Sequence, residues 1–425
     1  MGELDNFDIA NISDWNPIQS MIKVIGVGGG GCNAVNYMFR ENVEGCSFMV
    51  CNTDRQALEE SPVPIKIHIG RNALGAGTDP TKGRNAALEA QEQIEKVVLN
   101  EGTQMLFITA GMGGGTGTGA APQIAKMAKD KGILTVAVVT IPFENEGDMA
   151  LSRAIDGIHE LVKNVDSLLI INNEKLYDYF GGLLIHDAFP KADEVLATAV
   201  RGITEIISKP GYINVDFEDI KTMMKNSGMA LMGCGVGSGE NRIEEAVQGA
   251  LHSPLLNDFD LTTAKNLLVN ITCGKNEKGL TMDELKEINA KIADYTGNVV
   301  NKFKTGLVWE TDPEIGDKVK ITAIATGFKV NDLSKITKTD LGNLIIIGKD
   351  FKFEKKNMVG AEEVNISDLP TGMNMIGYNA ADNVKRYNFD PDKRPTLAVE
   401  YGQSIGELES VPAIKRTVRQ EKENN

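Results

Sequence analysis

Two glycine-rich turns and one short run of acids hold the residues of this chain whose types and spacing could do chemistry. The richer turn, Ile108 through Gly119, reads I-T-A-G-M-G-G-G-T-G-T-G and follows the apolar strand Met105 to Thr109. Without Cβ atoms, Gly113, Gly114, Gly115 and Gly117 can aim backbone N–H groups at one concave site, and such a nest attracts an anion. Thr116 and Thr118 add hydroxyls. Gly111 and Gly119 bound the loop, and a helix expected from near Ala120 points its positive end at the same spot, an arrangement suited to phosphate. No lysine follows the glycines, so this is not the P-loop G-x-x-x-x-G-K-[ST]. A bare strand-to-helix turn would need one glycine rather than this many.

The other turn, Gly28-Gly29-Gly30-Gly31-Cys32-Asn33, joins the strand Ile22 to Val27 to an apolar-periodic helix from about Ala34 to Arg40. Strand, glycine turn and helix make the first half of a nucleotide-binding α/β unit. Taken singly, Gly26-x-Gly28-x-x-Gly31 fits the dinucleotide fingerprint, and Asp54, just past the strand Phe48 to Cys51, falls near where that fingerprint wants an acid. A dinucleotide-dependent dehydrogenase is therefore one reading. Against it stand the second glycine loop and the lack of an evident catalytic histidine or lysine near it.

The elements that must position these turns alternate. Strands at Ile65 to Ile69, Ile133 to Val139 and Leu168 to Ile171 interleave with helices from Pro80 to about Leu99 and near Ala121 to Lys131, the pattern of a parallel sheet. A long helix, roughly Ala192 to Ile207, ends at Lys209-Pro210-Gly211. Beyond it, strands near Met229 to Gly235, Leu267 to Cys273, Val299 to Phe303 and Lys318 to Ala325 mix with helices near Arg242 to Leu251 and Met282 to Tyr295, an α+β pattern.

At 425 residues and 42% apolar composition the chain can bury a large core, with length for two or three domains. No apolar run reaches membrane-spanning length, and Met1 to Gln19 lacks the features of an export signal, so a cytoplasmic protein without direct membrane insertion is expected. The five cysteines form no C-x-x-C pair, which argues against zinc and a disulfide framework. A net charge of −15 disfavours nucleic acid as a partner. With four scattered histidines, acid-base chemistry falls to carboxylates.

Several loops together, in order from about Met21 to Phe328, resemble the tubulin family, and the A-G-M that opens the richer turn resembles its bacterial FtsZ branch. The resemblance implies a Rossmann-like parallel-sheet GTPase domain joined by a long central helix to a smaller α+β domain, with flexible termini. It divides the chain into a leader at 1–20, a GTP-binding domain at 21–191, the central helix at 192–211, an α+β domain with the catalytic loop at 212–328, a linker at 329–409 and a partner-binding tail at 410–425. It implies GTP and GDP as ligands, with Mg²⁺ held mainly through phosphates and water, and head-to-tail polymerisation into filaments of the cytokinetic ring at midcell.

The resemblance also assigns residues. Gly28 to Gly31 with Asn33, the loop at Asn52 and Asp54, Gly75-Ala76-Gly77 and Gly111 to Gly119 surround the phosphates and metal. At Asn52-Thr53-Asp54 a simple helix cap or Asx turn explains the residues equally well. Pro142 and Glu146 match the ribose loop, although the basic residue usual four positions on is Ala150 here, with Arg153 one turn further. Asn173 matches a base contact, Phe189 stacks on the purine, and Asp193 accepts guanine's two ring-edge hydrogens. Asn214, Asp216 and Asp219 complete hydrolysis in the neighbouring subunit, while Asp216 could equally cap a helix starting near Phe217. Ser410 to Arg416 resembles the tail peptide that binds membrane tethers and division regulators, and a solvated tail is the alternative. An inactive nucleotide-binding relative is the third functional class.

Overall fold

The structure, a computed structural model, describes residues 20–71, 74–174, 182, 184–209, 211–213, 215–251, 263–296, 302–310, 315–328, 344–347, 384–386 and 396–399. Strands β1 (Ile22–Val27), β2 (Ser47–Asn52), β3 (Ile65–His68), β4 (Met105–Gly111), β5 (Leu134–Ile141) and β6 (Ser167–Asn172) stand parallel in the order β3-β2-β1-β4-β5-β6. Every residue of β1 and β6 is buried, as a parallel sheet covered on both faces requires. Strand order reverses between β1 and β4, so a crevice opens at their carboxyl ends, where such sheets hold ligands.

The covering helices are α1 (Gly28–Arg40), α2 (Arg55–Glu59), α3 (Pro80–Glu89), α4 (Gln91–Val97), α5 (Thr116–Asp130) and α6 (Asp148–Leu161). Next comes α7 (Ile185–Ser208), whose Ala199, Val200, Ile203 and Ile206 recur at helical spacing inside a core shared with Val35 and Met38 of α1 and Val136 and Val138 of β5. The sheet then continues from β6 into β8 (Gly228–Gly237) through three parallel residue pairs, Ser167 with Gly228 to Leu169 with Ala230. It ends with β11 (Val319–Phe328), β9 (Asn266–Gly274), β10 (Lys302–Glu310) and β7 (Gly211–Ile213), mixed in direction. Helices α8 (Phe217–Met224), α9 (Arg242–Leu251) and α10 (Met282–Thr296) complete this unit. The apolar patch at 344–347 is β12 (Leu344–Ile347), which with β13 (Val384–Arg386) and β14 (Thr396–Val399) forms a three-stranded sheet of a second unit. The tail, 410–425, lies outside the described residues. Among the described residues, no helix is long and apolar enough to cross a membrane, and all five cysteines are free thiols.

Several boundaries differ from the sequence-based expectation. Both helices start inside the glycine turns, α1 at Gly28 and α5 at Thr116, because close contacts with neighbouring loops outweigh glycine's poor helix propensity, while 112–115 stay non-helical. The long helix begins at Ile185 and carries Pro190 within it, so Phe189 lies inside the helix. The single helix expected from Pro80 to Leu99 breaks at Ala90, since its halves have different partners. In α3, Gly83 lies close to the Gly115 backbone, whereas α4 ends on the Lys23 ammonium, which donates to the Val97 and Val98 carbonyls at 3.1 and 3.0 Å. Of the strand expected from Val299, residues 297–301 lie outside the described residues, and the register of β10 against β9 runs unbroken from Lys302 with Asn266 to Glu310 with Gly274. Elements beyond those expected include α2, α6, the edge strand β7 and, within the stretch expected to be a linker, β12, β13 and β14.

Candidate functional site

The two glycine turns meet at the β1–β4 crevice and press on each other. A Cβ on Gly28 would lie 2.8 Å from the Gly117 nitrogen, and one on Gly30 would lie 3.2 Å from Gly111 Cα. One on Gly31 would run into the Thr109 carbonyl, on Gly117 into that of Gly111, and on Gly119 into that of Pro80. Most of these glycines are therefore required by loop-on-loop packing, a role the sequence reading had given to the ligand. Gly29 and Gly114 differ from the rest of both turns, because a Cβ on either meets nothing within 4 Å.

The backbone donors sort in the same way. Gly113 N–H donates to Thr118 Oγ1 at 2.9 Å and Gly115 N–H to the Gly77 carbonyl at 2.9 Å, so those amides and that hydroxyl brace the loop. Among the described residues, the N–H groups of Gly114, Thr116, Gly117 and Thr118 have no such partner. Helices α1 and α5 both start without a side-chain cap and without an acid in the first turn. By contrast, Asp54, Asp79 and Asp216 cap α2, α3 and α8. The positive ends of two helices thus stay unquenched at one place, which favours an anion there.

The flanking loops are tied to these turns. Asn52 Oδ1 accepts the Thr53 and Asp54 N–H groups at 2.9 and 3.3 Å, and Asp54 caps α2 through Ala57 N–H at 3.2 Å, so the Asx turn and the helix cap are both present. Thr53, which the sequence did not single out, brings its hydroxyl to 2.6 Å from that of Thr116. Its carbonyl accepts Gly75 N–H at 3.2 Å, and Asp54 forms a β-bridge with Leu74. Gly75 and Gly77 have φ of +80° and +60°, conformations that admit glycine readily, and Ala76 between them is buried. Asn33 is exposed on the first turns of α1.

At the other side, Pro142 packs beside Gly113, and Glu146 Oε1 accepts Phe143 N–H at 3.0 Å, closing the one-turn helix Glu144–Glu146. Ala150 is buried, and Arg153 Nε donates to the Gly113 carbonyl at 2.8 Å. Asn173 N–H donates to the Ile141 carbonyl at 3.3 Å, while its buried Oδ1 has no hydrogen-bond partner among the described residues. An orphaned buried amide oxygen is costly, and a ligand's polar edge would relieve that cost. Burial pushes the Asp193 carboxyl up to about 6, against the opposing pull of the Arg40 guanidinium. The side chain of Phe189 lies outside the described residues.

The acids after α7 are engaged separately. Asp216 Oδ1 accepts Asp219 N–H at 2.7 Å as the cap of α8, and the Lys304 ammonium lies 2.9 Å from Asp219 Oδ1 and 3.0 Å from Oδ2. Lys304 carried no signal in the sequence, being brought there only by the strand β10. Asn214 lies outside the described residues.

Unquenched helix starts and glycine-packed turns at the switch point of a parallel sheet define a nucleotide-binding α/β protein. A model of the "Tubulin/FtsZ family, GTPase domain" matches residues 21–181, and one of the "FtsZ family, C-terminal domain" matches 228–329. The cell division protein FtsZ of Porphyromonas gingivalis is 46% identical over 423 residues, covering 98% of this chain and 88% of that one. That of Pseudomonas aeruginosa is 49% identical over 319 residues, covering 72% and 77%. A solved FtsZ dimer of M. jannaschii matches with a TM-score of 0.66 at 38% identity, over 72% of this chain and 88% of that one. CetZ2 from Haloferax volcanii, at 18% identity and a TM-score of 0.62 over 75% and 96%, shares the fold. The chain belongs to the tubulin/FtsZ family, in its FtsZ branch, and is a GTPase of cell division. That membership sets aside the dehydrogenase reading.

Proposed function

We propose that this GTPase assembles head-to-tail and hydrolyses GTP only where two subunits meet. The observation that carries this reading is the separation of the two halves of the site along α7. The unquenched starts of α1 and α5 offer donors for phosphate, and the carboxylates beside them, Asp54 and Asp79, are occupied as helix caps. Asp216 and Asp219 follow the far end of α7, whose 24 residues run about 36 Å at 1.5 Å each. A second subunit stacked on the first brings those acids to the terminal phosphate, and a heterologous contact of that kind propagates into an open filament.

In this reading Gly114, Thr116, Gly117 and Thr118 hold the phosphates through backbone N–H groups, with the first turn of α1 opposite. Asn173 and Asp193 recognise guanine, with Phe189 over its face and the Pro142–Glu146 loop at the ribose. Asp216 and Asp219, with Asn214, orient the attacking water and take up its proton, and positioning of this kind is most of what phosphoryl transfer needs. Among the described residues no three His, Cys, Asp or Glu side chains group as a metal site. The neutral Thr53 and Thr116 hydroxyls fit a magnesium ion that takes its remaining ligands from phosphate and water and neutralises charge there. The tail from Ser410 to Arg416 binds a membrane tether or division regulator, which places the filament at midcell.

Turnover per molecule measured against protein concentration tests the proposal. The expected result is a rise from near zero above a threshold concentration. A rate independent of concentration would show a site complete within one chain.

A further inference from the structure

Gly113 is held at both of its polar atoms. Its N–H donates to Thr118 Oγ1 at 2.9 Å, its carbonyl accepts from Arg153 Nε at 2.8 Å, and its φ of +103° is open to glycine alone in practice. In a trans peptide the carbonyl of one residue and the N–H of the next lie in the peptide plane and point in opposite directions, and the described backbone has no cis bond. Because the Gly113 carbonyl is drawn toward α6, the Gly114 N–H must face away from it. That N–H has no partner among the described residues, and the space beside Gly114 is open.

We infer that Arg153 is a positioning residue for phosphate binding: its bond to the Gly113 carbonyl fixes the Gly113–Gly114 peptide so that the Gly114 N–H is presented to a nucleotide's phosphates. The inference rests on the reading of the two glycine turns as the phosphate cradle. A peptide between two glycines has no Cβ to hinder its rotation, so an external clamp is needed to keep one orientation. Arg153 can supply it because side chains on a helix lean toward the N-terminus, here toward the Glu144–Gly147 end where the loop lies. Ala150, a turn earlier, is buried and brings no charge. The half-buried guanidinium forms no ion pair with a carboxylate among the described residues, so a direct pull of its charge on the phosphates is the rival explanation.

The test measures dissociation constants of GDP and of guanosine for the full chain, Arg153→Ala, Arg153→Gln and Gly114→Ala, at about 0.1 M and about 1 M salt, over which the screening length falls from about 10 Å to about 3 Å. Positioning predicts that both Arg153 variants weaken GDP by at least about tenfold, roughly one hydrogen bond to a charged group at 1.4 kcal/mol per tenfold. Guanosine binding should be unchanged, and the factor should be the same at both salts, because a misplaced neutral peptide is not screened. If the factor vanishes at high salt, Arg153 acts by charge and the inference fails. If Gly114→Ala weakens GDP while both Arg153 variants bind normally, the cradle stands and the clamp does not. If Gly114→Ala also binds normally, the cradle itself is wrong. Should Arg153→Ala unfold, seen by circular dichroism, Arg153→Gln alone decides between these results.

Discussion

Alanine placed along the two glycine turns should split into substitutions that damage the fold and substitutions that damage binding. At Gly114 the added methyl meets nothing within 4 Å, and the residue lies outside the positive-φ group, so the nucleotide-free protein should keep its stability or gain about 0.4–1 kcal/mol from a less flexible unfolded chain. Gly29, open in the same way in the first turn of α1, should gain up to about 1 kcal/mol in helix propensity. At Gly31 and Gly119 the methyl would collide with the Thr109 and Pro80 carbonyls, backbone atoms without a rotamer to escape into. Overpacking of this kind costs about 1–3 kcal/mol, and more where the backbone resists, which lowers the melting temperature by roughly 1–2 °C per kcal/mol in a protein of this size. With nucleotide the order inverts. Gly29→Ala and Gly114→Ala fill space that a phosphate oxygen needs and should lose at least tenfold in GTP affinity, about 1.4 kcal/mol. Thermal unfolding without nucleotide, paired with GTP titration, reads both quantities. A well-folded Gly114→Ala with unchanged affinity would refute the assignment, as would one that melts as early as Gly31→Ala.

Guanine preference should depend on pH through Asp193. Burial holds its carboxyl up at about 6, above the ordinary 3.8, so as pH falls through that window the nucleotide-free fold binds an extra proton and is stabilised by it. GTP affinity should fall over the same window, because a protonated carboxyl no longer accepts two hydrogens, and Asp193→Ala should abolish both the pH dependence and the preference for GTP over ATP. Asp216→Asn should keep the α8 cap, near wild-type stability and GTP binding while losing turnover, whereas Asp216→Ala should lose turnover and about 1 kcal/mol in denaturant unfolding. Arg242→Ala should destabilise by about 3 kcal/mol, since Arg242 holds Glu284 at 2.7 Å and the carbonyls of Lys278, Gly279 and Asp317, and the carboxylate would lose its cation while keeping only its bonds from Thr281. Deleting residues from Ser410 onward should leave GTP turnover of purified protein intact and abolish recruitment to a tether, and a filament defect in vitro would argue the reverse.

Much of the site's outline was legible in the chain itself because its signals are local. A glycine run between an apolar strand and a helix start reports a close backbone approach wherever it occurs, and β4 and β6 announced themselves by apolar runs, Met105 to Ile108 and Leu168 to Ile171. Asp54 and Asp216 were recognisable as possible helix caps because a cap and its helix are neighbours in sequence. Tertiary structure decided which glycine serves the fold and which leaves room for a ligand, since Gly31 and Gly114 are alike until Thr109 is placed against one and nothing against the other. It also decided the pairing of Lys304 with Asp219, 85 residues apart, and of Arg153 with Gly113, 40 apart. No local pattern encodes such contacts, because they depend on how distant strands and helices are brought together: β10 must be seated in the sheet before Lys304 can reach Asp219, and α6 must lie against the loop before Arg153 can reach Gly113.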